Sequence, residues 1–321
     1  MPHTLATDIS LTALNPTLWA NVMQVPLRKS LVAEAVADTQ FEPLLKYGDA
    51  VTQPYMQDVE VEDYTPGAVF TAQGASSQED TLNVNKYKVA PSYVDDINSL
   101  QAKYSYAMDL IDDQAYQLKD ALDSAVLETG GRGAGLYLAA KATAASEQGI
   151  ALTAGSFSNI SAMSALEVHA DDSTVSAISP IELFSRARKE LRSKNVTEAG
   201  DWVAVIDPSI AQKIEMIGAD KGFNVADSTL RNGYAGPFMG FKVYISNNLF
   251  HPTAGNNTGA SLAYFGKSKR IGLVTQMPPR VQFKDVANKL GTNIVSSMVY
   301  GTKVFTKNAD RFLCALIKTK S

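Results

Sequence analysis

Leu100, Tyr104, Met108, Ile111, Ala115, Leu118, Leu122 and Ala125 recur three or four positions apart, the spacing that lines one face of an α-helix. Asp95 and Asp96 stand just before this stripe, where acids favour a positive helix N-terminus, and Gly130-Gly131 marks its end. Unbroken from about residue 97 to 128, such a helix spans ~48 Å at 1.5 Å per residue. A compact bundle member needs far less. The chain must therefore fold around a spine.

The segment before the helix is thin. Val59-Glu60-Val61-Glu62 alternates strictly, as does Leu82-Asn83-Val84-Asn85, which predicts two strands of a long hairpin across residues 49–95. The alternation changes phase at Tyr87 and Val89, and this predicts a bulge near Asn85-Lys86. A small-residue and polar tip runs from Thr65-Pro66-Gly67 to Gly74-Ala75-Ser76-Ser77. One narrow apolar stripe does not hold such a hairpin by itself, so it needs a surface to lie on. The first ~45 residues read likewise as an extended arm with short helical pieces, after Pro16 and Pro26.

Ser179-Pro180-Ile181-Glu182 is a capping box that opens a second helix, with Phe184, Ala187 and Leu191 on its apolar face. Asp201 to Asp207 reads as a buried strand ending at Pro208, followed by a short helix over 209–217. Further strands are predicted at 240–246, 261–265, 270–275, within 293–306 and at 312–319. The fold class is α+β, with strands in two separated groups. No internal repeat is present.

Charge is unevenly placed. Residues 51–130 hold fourteen acids and four bases, net −10, while residues 266–321 hold eleven bases and two acids, net +9. Opposed segments of this kind suit contacts between copies of a chain, and equally suit neutralisation within one chain. The charged share of 19% lies below the ~25% usual for soluble domains, with Gly, Ser, Thr, Asn and Gln available to carry the solvation. The 321 residues are enough for about two domains of ~150 residues. No apolar run approaches the ~20 residues of a membrane span, and the start lacks the pattern of a secretory signal. The single cysteine, Cys314, excludes an intrachain disulfide and a cysteine-cluster metal site, and its apolar surroundings read as core.

A search for chemistry returns no site. Gly130-Gly131-Arg132-Gly133-Ala134-Gly135 follows a helix, whereas a dinucleotide loop follows a strand. Gly266-Lys267-Ser268 lacks the earlier glycine of a phosphate loop, since Ser261 stands there. Asp112 and Asp113 point about 100° apart on a helix, and Asp171-Asp172 is a turn signal. The three histidines, His3, His169 and His251, form no ligand pair. The basic run Arg186 to Lys194 complements a helix C-terminus and carries no interleaved aromatics for base stacking. Catalytic, cofactor and metal residues are accordingly expected to be none.

Taken in order, several segments carry a resemblance. An arm with Leu27-Arg28-Lys29-Ser30-Leu31-Val32 leads to Tyr47-Gly48-Asp49-Ala50-Val51 and Val61-Glu62-Asp63-Tyr64-Thr65-Pro66-Gly67. Tyr93-Val94-Asp95-Asp96-Ile97 enters the long helix. Leu230 to Gly236, Gly240 to Leu249 and Met298 to Val304 follow. Over nearly the whole chain this resembles the major capsid (coat) proteins of tailed bacteriophages, which have the Hong Kong 97-like fold shared with encapsulins. Order and spacing carry the likeness; no single motif is diagnostic.

The resemblance implies an N-terminal arm at 1–46 and an extended loop at 47–93. It implies a peripheral domain at 94–198 and 276–321, and an axial domain at 199–275. It implies a non-enzymatic structural protein that assembles as hexamers and pentamers into an icosahedral head around double-stranded DNA. Its place would be the virion, assembled in the host cytoplasm. Its partners would be copies of itself, a separate scaffolding protein, a portal, in some relatives a decoration protein, and DNA through weak non-specific contact; no membrane and no cofactor are implied. The charge split then points to contacts between copies through Val59, Glu60, Val61, Glu62, Asp63 and Tyr64 of the loop, with Arg28, Lys29 or C-terminal bases opposite. An encapsulin-like cargo compartment, and a soluble α+β enzyme with a site assembled in space, stay open as other readings.

Overall fold

The computed structural model describes residues 28, 29, 31–45, 47–59, 61–67, 69, 74, 76–97, 106–138, 165–168, 177–196, 201–221, 234–251, 259–286 and 289–319. In chain order the elements are α1 (Ala33–Val36), β1 (Ala37–Asp38), β2 (Ala50–Met56), β3 (Ser77–Asn83), β4 (Lys86–Asp95) and α2 (Tyr106–Gly133). Then come β5 (Leu136–Leu138), β6 (Leu166–Val168), β7 (Ala177–Ile178), α3 (Pro180–Ser193), β8 (Trp202–Ile206) and α4 (Pro208–Lys221). The chain continues with β9 (Tyr234–Phe238), β10 (Phe241–Ile245), β11 (Ser261–Lys267), β12 (Ile271–Asp285), β13 (Gly291–Val304), α5 (Thr306–Ala309) and β14 (Phe312–Thr319).

Three sheets result among the described residues. A four-stranded sheet has the order β1-β12-β13-β4, an eight-stranded sheet the order β7-β6-β14-β11-β8-β10-β9 with β5 beside β14, and β2 and β3 form the hairpin. The spine helix α2 lies against both larger sheets. Its Leu118, Val126 and Leu127 share one core with Ile271, Met298 and Tyr300 of the first sheet and Leu262, Tyr264, Phe312 and Cys314 of the second. Cys314 is buried, as its apolar setting predicts, and burial pushes its thiol pKa up. A second core lies on the other face of the eight-stranded sheet, where Phe184 of α3 meets Phe238, Phe241 and Phe265 edge-on at 4.9–5.8 Å. The Ser179 hydroxyl accepts from the Glu182 amide at 3.2 Å, the cap expected for α3.

Several expectations need correction. The helix does not stop at Gly130-Gly131 but runs to Gly133. These glycines answer a packing demand rather than a break: a Cβ on Gly130 would strike Ile271, one on Gly131 would lie 2.5 Å from Leu262, and one on Gly133 2.6 Å from Val304. Leu100 and Tyr104, the first positions of the predicted stripe, lie outside the described residues. The first hairpin strand is β2, at 50–56, and the described residues among 57–65 are not in a strand. The phase change near Asn85-Lys86 is not a bulge. There the chain leaves the hairpin, with Leu82 facing the core, and β4 enters the four-stranded sheet.

β12 does not end at 275 but continues to Asp285, past Pro278 and Pro279, with its register against β13 shifting there. Its other edge pairs β1 only at Ile271 and Gly272, so the prolines sit where no donor is demanded. Residues 312–319 form β14 in the middle of the eight-stranded sheet, antiparallel to β11, and β5, β6 and β7 belong to that sheet as well. An apolar run does not name its partner strand, and this one finds β11.

Gly266 of β11 faces Phe312, where an added Cβ would meet backbone at 2.5 Å. Gly266→Ala is expected to destabilise the unassembled chain by about 3 kcal/mol, since a strand backbone yields less than a side-chain tip. Gly131→Ala gains helix propensity against displacement of the Leu262 tip and should stay within about 1 kcal/mol of the parent. Denaturant unfolding measures both, and equal losses would contradict the distinction.

Candidate functional site

The contact residues expected from sequence fall into two places. Arg28 and Lys29 lie on α2. The Arg28 guanidinium sits 5.1 Å from the centre of the Tyr116 ring, and the Lys29 amide donates to the Tyr116 hydroxyl at 2.6 Å. Lys29 Nζ reaches Asp120 at 3.3 Å and Asn248 Oδ1 at 3.0 Å. Among the described residues, its carboxylate partner is thus Asp120 of α2.

The loop residues stand away from any core. Val59, Val61 and Tyr64 are 68%, 98% and 63% exposed, and Glu62 and Asp63 are exposed with them. Glu60 lies outside the described residues. The base of the loop is nevertheless held. Asp58 receives Lys307 Nζ on both oxygens at 3.0 and 2.9 Å, the Gln57 amide donates to the Ser76 carbonyl at 3.2 Å, and Ser76 Oγ donates to Gln57 Oε1. Further back, Lys303 Nζ donates to Asp80 at 3.2 Å and to the Thr81 carbonyl at 2.8 Å, while the Thr306 amide reaches Asp80 at 2.7 Å. Burial opposes the ionised form of Asp80, but the bonds from Thr306 and Lys303 outweigh it and hold the carboxyl below its ordinary range. The opposed charges of the sequence therefore meet partly inside one chain. Val59, Val61 and Tyr64, with Val69 beyond them, are left facing outward on a tethered loop.

The sequence reading missed the latch that holds the arm. Asp123 is buried in α2, and its Oδ1 accepts from the amides of Val32 at 2.8 Å and Ala33 at 2.5 Å. Asn248, also buried, donates through Nδ2 to Asp123 at 2.9 Å and to Asp120 at 2.6 Å. One carboxylate thereby caps the first turn of α1 and joins arm, spine helix and the segment after β10. A signal existed: Asp123 stands three and four residues before Val126 and Leu127, on the buried side of the helix. Burial raises its pKa above the ordinary 3.8, more than the three donors lower it.

Among the described residues no group of histidine, cysteine and carboxylate side chains could hold a metal, and no helix is long and apolar enough to cross a membrane.

The same architecture is found in solved structures over almost the full length of the chain. One from Mycobacterium phage Che8 aligns with a TM-score of 0.69 at 19% identity, covering 94% of this chain and 96% of that one. The capsid structure of cyanophage P-SCSP1u aligns at 0.63 with 17% identity, over 98% and 96%. The capsid of a native GTA particle aligns at 0.61 with 12% identity, over 96% and 97%. No protein-family model and no curated protein matches the sequence. The chain has the fold of phage capsid proteins. More narrowly, it is the Hong Kong 97-like fold of tailed-phage major capsid proteins, which the sequence resemblance implied.

Folding raises the Asp123 pKa, so the folded chain holds that proton more tightly than the unfolded one. Its contribution to stability is greatest below pH 3.8 and falls as the pH rises through the raised value. Asp123→Asn removes this titration. The unfolding free energy of the parent relative to the variant should therefore decline with pH across the acid range, and a flat difference would contradict the assignment.

Proposed function

We propose that this chain is the structural shell protein of a tailed-phage head, assembling as hexamers and pentamers into an icosahedral capsid around double-stranded DNA. The observation that carries the reading is a loop tied at its base by Asp58–Lys307 whose Val59, Val61 and Tyr64 face outward, on a fold shared end to end with capsid proteins. Apolar side chains on a segment too thin to cover them favour burial under a neighbouring copy. Phage, cyanophage and GTA capsids among the similar structures favour a head over a cargo compartment. The protein would act without catalysis, in the virion, having assembled in the host cytoplasm. A separate scaffolding protein and a portal would take part, a decoration protein could add to the finished shell, and DNA would be met by weak non-specific contact.

In this reading the arm covers 1–46 and the extended loop 47–93. The peripheral body is the four-stranded sheet with α2. The axial body is the eight-stranded sheet with α3 and α4, and it takes β5–β7 and β14 beyond the 199–275 segment. The loop would lie across a neighbour's peripheral body, burying Val59, Val61 and Tyr64 and presenting Glu60, Glu62 and Asp63 to bases. Arg28 and Lys29 would add their outer surfaces to the same kind of contact.

Negative-stain electron microscopy of the chain co-expressed with its scaffolding protein should show closed shells; small discrete oligomers would refute the reading. Reversing Glu60, Glu62 and Asp63 together to lysine should abolish most shells through like-charge contacts costing several kcal/mol, with the circular dichroism of the unassembled chain unchanged. Intact shells from that variant would exclude the proposed loop contact.

A further inference from the structure

The four-stranded sheet is covered unevenly. Met298 and Tyr300 of β13 pack under α2, so Asn293, Val295, Ser297 and Val299 project from the opposite side. The register places their partners there too: Val89 and Arg280 flank Ser297, Pro91 and Gln282 flank Val295, and Tyr93 and Lys284 flank Asn293. Phe41 and Leu45 of the arm cover the near end of this side, packed with Val274 and Val299. The far end is bare. Tyr87, Val89, Pro91 and Tyr93 of β4 are exposed there.

The bare end has a sign. Arg280 and Lys284 are exposed on it and form no ion pair among the described residues. Lys289 Nζ lies 5.6 Å from the centre of the Tyr93 ring. Asp95 closes the strand, and its carboxylate already accepts from the Ile97 amide at 2.9 Å. The result is an apolar row bordered by cations. The outer face of α2, on the other side of the same body, has the reverse character: Met108 is exposed beside Asp109 and Asp112, which are exposed and form no ion pair among the described residues.

We propose that the bare sheet end of one copy is the dock for the loop of a second copy, with Val59, Val61 and Tyr64 laid over Tyr87, Val89 and Tyr93 and Asp63 set against Arg280 and Lys284. This rests on the capsid-shell reading above and adds which face of the peripheral body receives the loop. Asp63 is exposed and forms no ion pair among the described residues, so it brings a charge that these cations match. On α2 the same carboxylate would face Asp109 and Asp112, and like charges brought together disfavour that contact. Alternation puts Val59 and Val61 on one side of the segment when it lies extended on a sheet. The two surfaces differ, so the contact is head-to-tail, the kind that closes into rings when its rotation divides the circle.

The test is chemical crosslinking of shells formed by the full chain co-expressed with its scaffolding protein. With a short bismaleimide, Val61→Cys combined with Val89→Cys should give linked multimers beyond those of either single variant, and Val61→Cys combined with Met108→Cys should not. All three positions are exposed and Cys314 is buried, so fold and background are kept. Linkage to position 108, or to neither position, in intact shells overturns the proposal and leaves the shell reading in place. Absence of shells from the parent refutes that reading, and the contact with it. Charge supplies a second measurement. Arg280→Glu with Lys284→Glu should lower shell yield about tenfold or more, since like charges then meet, and adding the reversal of Glu60, Glu62 and Asp63 to lysine should restore it. Unchanged circular dichroism of the unassembled variants separates a lost contact from a lost fold. Full yield from the Arg280→Glu, Lys284→Glu chain, or no recovery in the combined variant, overturns the proposal.

Discussion

The last turn of the spine helix touches both large sheets at side-chain-free positions, and the arrangement of the chain follows from that contact. Gly130 and Gly133 meet Ile271 and Val304 of the four-stranded sheet, while Gly131 meets Leu262 of the eight-stranded one. The Tyr137 hydroxyl donates to the Gly131 carbonyl at 2.5 Å, so the exit from the helix is pinned as well. With no Cβ on these turns, helix and strands approach closely enough for one core to serve both sheets. The arm then docks on the same helix through Asp123, and the hairpin is carried by β4, which pairs β13 beside it.

Much of this architecture could be read from residue patterns, and the failures have a common cause. The spine helix, the capped helix at 180–193 and the strands near 202, 241, 261 and 312 are visible because periodicity and capping are local properties. Partner choice is not local. The run at 312–319 looks the same whether it lies at an edge or in the middle of a sheet, and only β11 decides. Gly130-Gly131 is a stop signal by propensity, yet close packing overrides it. Strict alternation at 59–62 suggested a strand, but the pairing falls at 50–56.

The candidate contact residues Val59, Val61 and Tyr64 were read from the thinness of the loop, and in the single chain they are exposed. The charge split was also visible, but its use inside the chain through Asp58–Lys307 and Asp80–Lys303 was not, since those partners lie more than two hundred residues apart in sequence. Asp123 was hidden among the helix acids because the apolar stripe was followed only as far as Ala125. Its neighbours Val126 and Leu127 show that its side of the helix is buried.

The passage from β3 to β4 through Val84 and Asn85 has a mechanical side. β4 pairs with β13 residue for residue from Lys86↔Tyr300 to Asp95↔Gly291 without a register break. A pull along the β4 axis therefore loads this whole ladder in shear, with its bonds sharing the strain, instead of peeling them apart one by one. The hairpin is anchored like a spliced rope, by overlap along the length of β4, and the load it brings in is passed to the strand that packs on the spine helix.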